Sequence, residues 1–108
     1  MLRYLPLLVL VAVAPAAESA PTYPIVLSGE YCWIPDSCRP FVVTLLEDHS
    51  FESRGGSRGT WATTGGATEL VLLFETSTVY WGAVVGGGCV EGEMLGYTGL
   101  EGTWWACR

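Results

Sequence analysis

Residues 80–108 read YWGAVVGGGCVEGEMLGYTGLEGTWWACR. The reading of this stretch decides the fold. Tyr80 to Val85 continues a run from Thr78 that is rich in aromatic and β-branched residues. Gly86-Gly87-Gly88 interrupts it, and Cys89 to Leu95 resumes with apolar residues in alternation. GYTGLEG, residues 96–102, marks a reversal, and Thr103 to Cys107 ends the chain. Short runs of strand-forming residues punctuated by glycine predict strands joined by tight links. Short links favour antiparallel neighbours, hence a meander.

The same pattern extends upstream. Val26 to Trp33, Phe41 to Leu46, Phe51 to Arg54, Gly59 to Thr64 and Thr68 to Phe74 read as five further strands, with turns at Glu47-Asp48-His49-Ser50, Gly65-Gly66 and Glu75-Thr76-Ser77. No stretch after residue 25 keeps a 3.6-residue period. The fold class is therefore all-β: a small antiparallel meander closed, or nearly closed, into a roughly eight-stranded barrel. A flat sheet of that size leaves two edges and an exposed apolar face, and closure removes both. A two-sheet sandwich is the alternative. Interior positions are Tyr31, Trp33, Phe41, Val43, Leu45, Trp61, Leu70, Leu72, Phe74 and Trp104. In a regular strand Trp104 and Trp105 face opposite ways. One lies inside, and the other needs a loop, the N-terminal tail or a partner to cover it.

The opening residues, MLRYLPLLVLVAVAPAAESA, carry one cation, Arg3, then an apolar run and small residues. This is the order of a secretory signal peptide, too short to span a membrane. It predicts a signal segment at 1–16, a flexible tail at 17–25 and a disulfide-stapled domain at 26–108. The expected location is periplasmic or extracellular, with no stable membrane insertion. Removal of Arg3 takes the net charge from -6 to about -7, and the chain has no lysine. An acidic surface of this kind repels nucleic acid.

Four cysteines lie beyond the leader: Cys32, Cys38, Cys89 and Cys107. An even count behind a signal peptide reads as disulfides. Three pairings exist, and 32–38 with 89–107 is favoured because CWIPDSC brackets a turn and Cys89 and Cys107 fall in the last two strands. The C-x₂-C spacing of a zinc site is missing.

Little here suggests catalysis, and no enzyme activity or cofactor is expected. Asp48, His49 and Ser50 carry the letters of a hydrolase triad, yet consecutive residues at a hairpin tip do not form a nucleophile–base–orienter chain. They read as a solvated turn. Glu91 and Glu93 share a strand face that looks like the wet side. Arg54 and Arg58 flank Gly55-Gly56-Ser57, a solvated loop or at most a small anion site. The aromatic residues are the best basis for a function. Tyr31, Trp33, Trp61, Tyr80 and Trp104 could plug a barrel or line one open mouth for a small apolar or aromatic ligand.

Gly29-Glu30-Tyr31, EDHSF at 47–51, Gly59-Thr60-Trp61, Tyr80-Trp81-Gly82, Gly92-Glu93-Met94 and Gly102-Thr103-Trp104 together resemble the small calycin-type barrels, in particular short secreted bacterial lipocalin-like domains, and more distantly avidin-like proteins. The resemblance spans about residues 26–108. It implies a barrel that binds a small ligand. Biotin is not implied, since Ile34 and Pro35 follow Trp33 where avidin-like chains carry Asn. The tail AESAPTYP, residues 17–24, is similar to the N-terminal segment by which small periplasmic barrels inhibit metalloproteases. A protein-interaction module of that kind is the alternative function.

Overall fold

A computed structural model describes residues 21–34 and 37–108. The expected signal segment, and the tail as far as residue 20, lie outside them. Eight strands form: β1 (Ile25–Trp33), β2 (Ser37–Leu45), β3 (Ser50–Ser53), β4 (Arg58–Thr64), β5 (Glu69–Phe74), β6 (Val79–Val85), β7 (Cys89–Leu95) and β8 (Glu101–Cys107). Each pairs antiparallel with its sequence neighbours, and β8 pairs with β1 to close the barrel. The expected barrel, and not the sandwich, is thus the observed architecture. Closure rests on the seam Ser28–Trp33 against Cys107–Gly102. It buries the edges that a flat meander would expose.

Alternation along each strand sets the inside. Leu27, Phe41, Val43, Leu45, Phe51, Trp61, Leu70, Leu72, Phe74, Tyr80, Val90, Met94, Trp104 and Ala106 form one buried cluster, with Tyr23, Ile25, Tyr31 and Trp33 packed against it. All ten expected interior residues belong to this set. Glycine supplies the space that so many rings require. A Cβ at Gly82 would press on the Trp104 ring, and one at Gly92 would overlap the backbone of Trp81 and Gly82. The wall of β6 and β7 is therefore thin where Trp104 lies against it.

β2 begins at Ser37, earlier than the expected Phe41. Cys32 stands opposite Cys38 in the β1–β2 register, and a disulfide joins them with their Cα atoms 3.9 Å apart. The covalent tie extends the hairpin past Pro40. The proline is accommodated because β3 pairs only with Val43–Leu45, leaving the first half of β2 without a neighbour on that side. A second disulfide joins Cys89 to Cys107, directly opposed across β7 and β8. Both favoured pairings are therefore formed. One staple holds β1 to β2 and the other holds β8 to β7, so the two strands of the closing seam are each fixed on their far side. Two disulfides fit an oxidising compartment. Among the described residues no helix is long and apolar enough to cross a membrane.

Candidate functional site: an aromatic cup at one end of the barrel

The two ends of the barrel differ. At the end formed by the β2–β3, β4–β5 and β6–β7 links, Trp61 acts as a stopper. Its indole Nε1–H donates to the Leu46 carbonyl at 2.8 Å. The His49 ring lies on it, with centroids 4.3 Å apart and planes 14° from parallel, and the Tyr23 ring stacks with it at 5.9 Å. His49 Nδ1 is 3.1 Å from the Trp61 carbonyl. A carbonyl only accepts, so Nδ1 carries the proton and donates. His49 is thus exposed yet engaged, a clasp rather than the purely solvated turn expected of it. Its backbone sits at φ 70°, which turns the hairpin tip back over β4.

The triad letters are occupied by this turn. Ser50 donates its amide, at 2.9 Å, and its hydroxyl to Asp48 Oδ1, while His49 faces Trp61. The Ser50 hydroxyl bond, followed by the Ser50 amide, holds the Asp48 carboxyl below the usual range. Its contribution to the turn is present above the unfolded carboxylate pKa and lost as pH falls through the lowered folded value.

The opposite end is open. A cup of about 480 Å³ is lined by Tyr31, Trp33, Phe41, Phe74 and Tyr80, with Arg39, Arg54, Ser53, Ser57, Thr76 and Thr78 around its rim. This size falls within the usual range of small-molecule sites. Its side opening follows from the strand lengths. β3 has four residues and β2 has nine, so the wall is low beside Arg39 and Pro40. The β3–β4 link fills part of the gap: Arg54 N–H donates to the Val42 carbonyl at 2.9 Å. The floor is a cluster of tilted and edge-on rings. Tyr80 lies 4.8 Å from Phe74, 5.2 Å from Phe41 and 5.5 Å from Trp104, centroid to centroid. The interior is therefore plugged in its lower part and concave at its mouth. Two other concavities, of about 510 Å³ and 410 Å³, involve the outer wall and its carboxylates.

Of the five aromatic residues expected to bind a ligand, Tyr31, Trp33 and Tyr80 line this cup. Trp61 and Trp104 do not. Trp61 plugs the closed end, and Trp104 is 2 % exposed, with its Nε1–H shared between the carbonyls of Glu93 at 3.1 Å and Trp81 at 3.2 Å. Register separates them from the cup: strand faces are readable in a sequence, but height along a barrel axis depends on the stagger of strands. The sequence reading missed Phe41 and Phe74 as lining residues, although it placed both inside, and it missed Arg39.

Tyr80 is the most informative member of the cup. It is 4 % exposed, and its hydroxyl makes no hydrogen bond among the described residues. Because Tyr80 lines the cup, water there or a bound molecule is the partner left to this hydroxyl. Burial, with a smaller effect of Tyr31, pushes its pKa well above the ordinary tyrosine range. The neutral form is therefore favoured on folding, and the associated stability is full below the unfolded pKa of about 10 and lost as pH rises beyond it. Tyr80→Phe is expected to retain a larger share of its neutral-pH stability at pH 11 than the parent, measured as urea midpoints at pH 7 and 11. An equal loss in both proteins would mean that this hydroxyl does not govern the alkaline limb.

On the outer wall Trp105 is 46 % exposed and Trp81 39 %. Trp105 stands between Glu30 and Glu91 in register, and Trp81 beside Glu93. The outward tryptophan of the closing strand is thus left open by the described loops and tail. Glu30 also lies beside Cys32 and Cys38, but those sulfurs are joined to each other and offer no thiolate to a metal.

Comparison with protein-family models finds no match, and comparisons with curated proteins and with solved structures find none either.

Proposed function

We propose that this protein is a secreted or periplasmic, non-catalytic barrel of lipocalin-like type that holds a small apolar or aromatic molecule in the cup at its open end. The observation that carries the reading is the open cup with an aromatic floor, in which the Tyr80 hydroxyl has no hydrogen-bond partner among the described residues. A plug made only for stability has no use for that oxygen, since phenylalanine would fill the same space. A ligand acceptor atom would satisfy it. The rim hydroxyls of Ser53, Ser57, Thr76 and Thr78 add adaptable polar contacts around the apolar floor, the usual division of labour in such sites.

The test is a titration with a flat two-ring probe, 2-naphthol, followed by NMR of the aromatic side chains. Shifts are expected at Tyr31, Trp33, Phe74 and Tyr80, with Trp61 and Trp105 unmoved. Shifts confined to Trp105 and Trp81, or none at millimolar probe, would overturn it.

A protein-interaction module is the second reading. The exposed pair Trp81 and Trp105 favours it, because aromatic residues standing among carboxylates on an outer face suit a partner that brings both apolar and basic groups.

A further inference from the structure

The charge of the cup is opposite to that of the molecule. The chain carries eleven acidic residues against five basic ones, all five arginine. Among the described residues, however, the charged groups lining the cup are Arg39 and Arg54, with no carboxylate beside them. Glu30, Glu91 and Glu93 line the concavity at Trp105. Glu52 and Glu75 line another, together with Arg58. The small anion site suggested by the spacing of Arg54 and Arg58 is therefore split, and Arg54 is grouped with Arg39 instead.

Both arginines have fixed origins. Arg39 stands opposite Tyr31 in the β1–β2 register. Arg54 is anchored through its own amide to the Val42 carbonyl, three residues along β2 from Arg39. Both residues are exposed, which leaves their long side chains free to close on an anion held at the mouth. The planar fork of arginine matches a carboxylate in two-pronged fashion. Below them lie the faces and edges of Tyr31, Trp33 and Phe74, and then the unpartnered Tyr80 hydroxyl.

Resting on the reading of the cup as a binding site, we propose that its ligand is a small organic carboxylate with a flat apolar body and a second polar oxygen at the far end. Arg39 and Arg54 hold the carboxylate at the low side of the rim. Tyr31, Trp33 and Phe74 take the body. Tyr80 donates to the distal oxygen.

The experiment compares 6-hydroxy-2-naphthoate with its uncharged carboxamide by isothermal titration at fixed ionic strength. The parent protein is expected to prefer the carboxylate by about tenfold, as its charged oxygens both accept from guanidinium groups whereas the carboxamide is neutral and offers one acceptor. In Arg39→Gln/Arg54→Gln the preference should shrink to about twofold or less. Each single variant should fall between, and near-UV circular dichroism reports whether every variant keeps its packed core. In Tyr80→Phe the preference for 6-hydroxy-2-naphthoate over plain 2-naphthoate should narrow while the preference for carboxylate over carboxamide stays. Equal binding of the carboxylate and the carboxamide by the parent overturns the proposal but leaves the cup as a binding site. A preference that survives the double arginine change also overturns it. Absence of binding by either compound at millimolar concentration removes the binding-site reading and this proposal together.

Discussion

Replacing Trp104 by alanine is expected to destabilise the barrel by about 3–5 kcal/mol, the range for emptying a buried aromatic position. The side chain is 2 % exposed and packs against rings from two other strands, Phe41 edge-on at 6.0 Å and Tyr80 at 5.5 Å. On the β6–β7 side nothing can collapse into the space, because the wall there is built from Gly82 and Gly92, which have no side chains to move. The loss also leaves the carbonyls of Trp81 and Glu93 without the indole N–H that bridges them. A small domain shifts its melting temperature by about 4–8 °C for each kcal/mol, so a fall of roughly 12 °C or more should appear in thermal melts followed by near-UV circular dichroism. Trp104→Phe keeps most of the volume and loses the N–H, and should cost about 1–2 kcal/mol. If alanine costs no more than phenylalanine does, the packing role assigned to Trp104 is wrong.

Removing the Cys89–Cys107 bond should have the next largest effect. Its loop spans 18 residues and that of Cys32–Cys38 spans 6. On chain-entropy grounds the first is worth about 3 kcal/mol and the second about 2. The position of each bond sharpens the expectation. β8 is the last strand, and its pairing with β1 brings together the two ends of the meander. Without the bond to β7, β8 is held beside it only by the link at residues 96–100 and by the sheet itself, and the seam must order it against more chain entropy. Cys89→Ala/Cys107→Ala is therefore expected to unfold at lower urea concentration than Cys32→Ala/Cys38→Ala, both measured without reductant. The reverse order would place the weak point of the fold at the cup rather than at the seam.

These expectations draw on features of differing legibility. Gly-Thr-Trp occurs twice, at 59–61 and 102–104, at or next to the start of a strand expected from the sequence, and the structure gives its reason. In both copies the glycine points inward where a Cβ would strike a neighbouring carbonyl, of Leu73 in the first and Cys32 in the second, and the tryptophan points inward two residues later. The copies then diverge. Trp61 closes one end under His49 and Tyr23, while Trp104 braces the wall beneath the cup. Nothing in the tripeptide distinguishes them, because the difference lies in which strands stand opposite. His49 illustrates the same limit. Its place at a hairpin tip was legible, but its stacking on Trp61 joins residues twelve apart through a positive-φ turn that the letters do not announce.

What the sequence by itself determined is everything that follows from local periodicity and chain order. That includes the strands and their inward and outward faces, the turns between them, and the two cysteine pairs that flank a turn or share the final hairpin. These depend on neighbours along the chain, where alternation and glycine spacing act directly. The tertiary structure alone decided closure over the sandwich, which end is stoppered and which is open, and the meeting of Arg39 with Arg54 at the mouth. Each of these depends on how far one strand is displaced along the next around a closed ring, and on β3 being too short to cover β2. Stagger is set by the packing of all the interior rings together, so no single stretch of the chain encodes it.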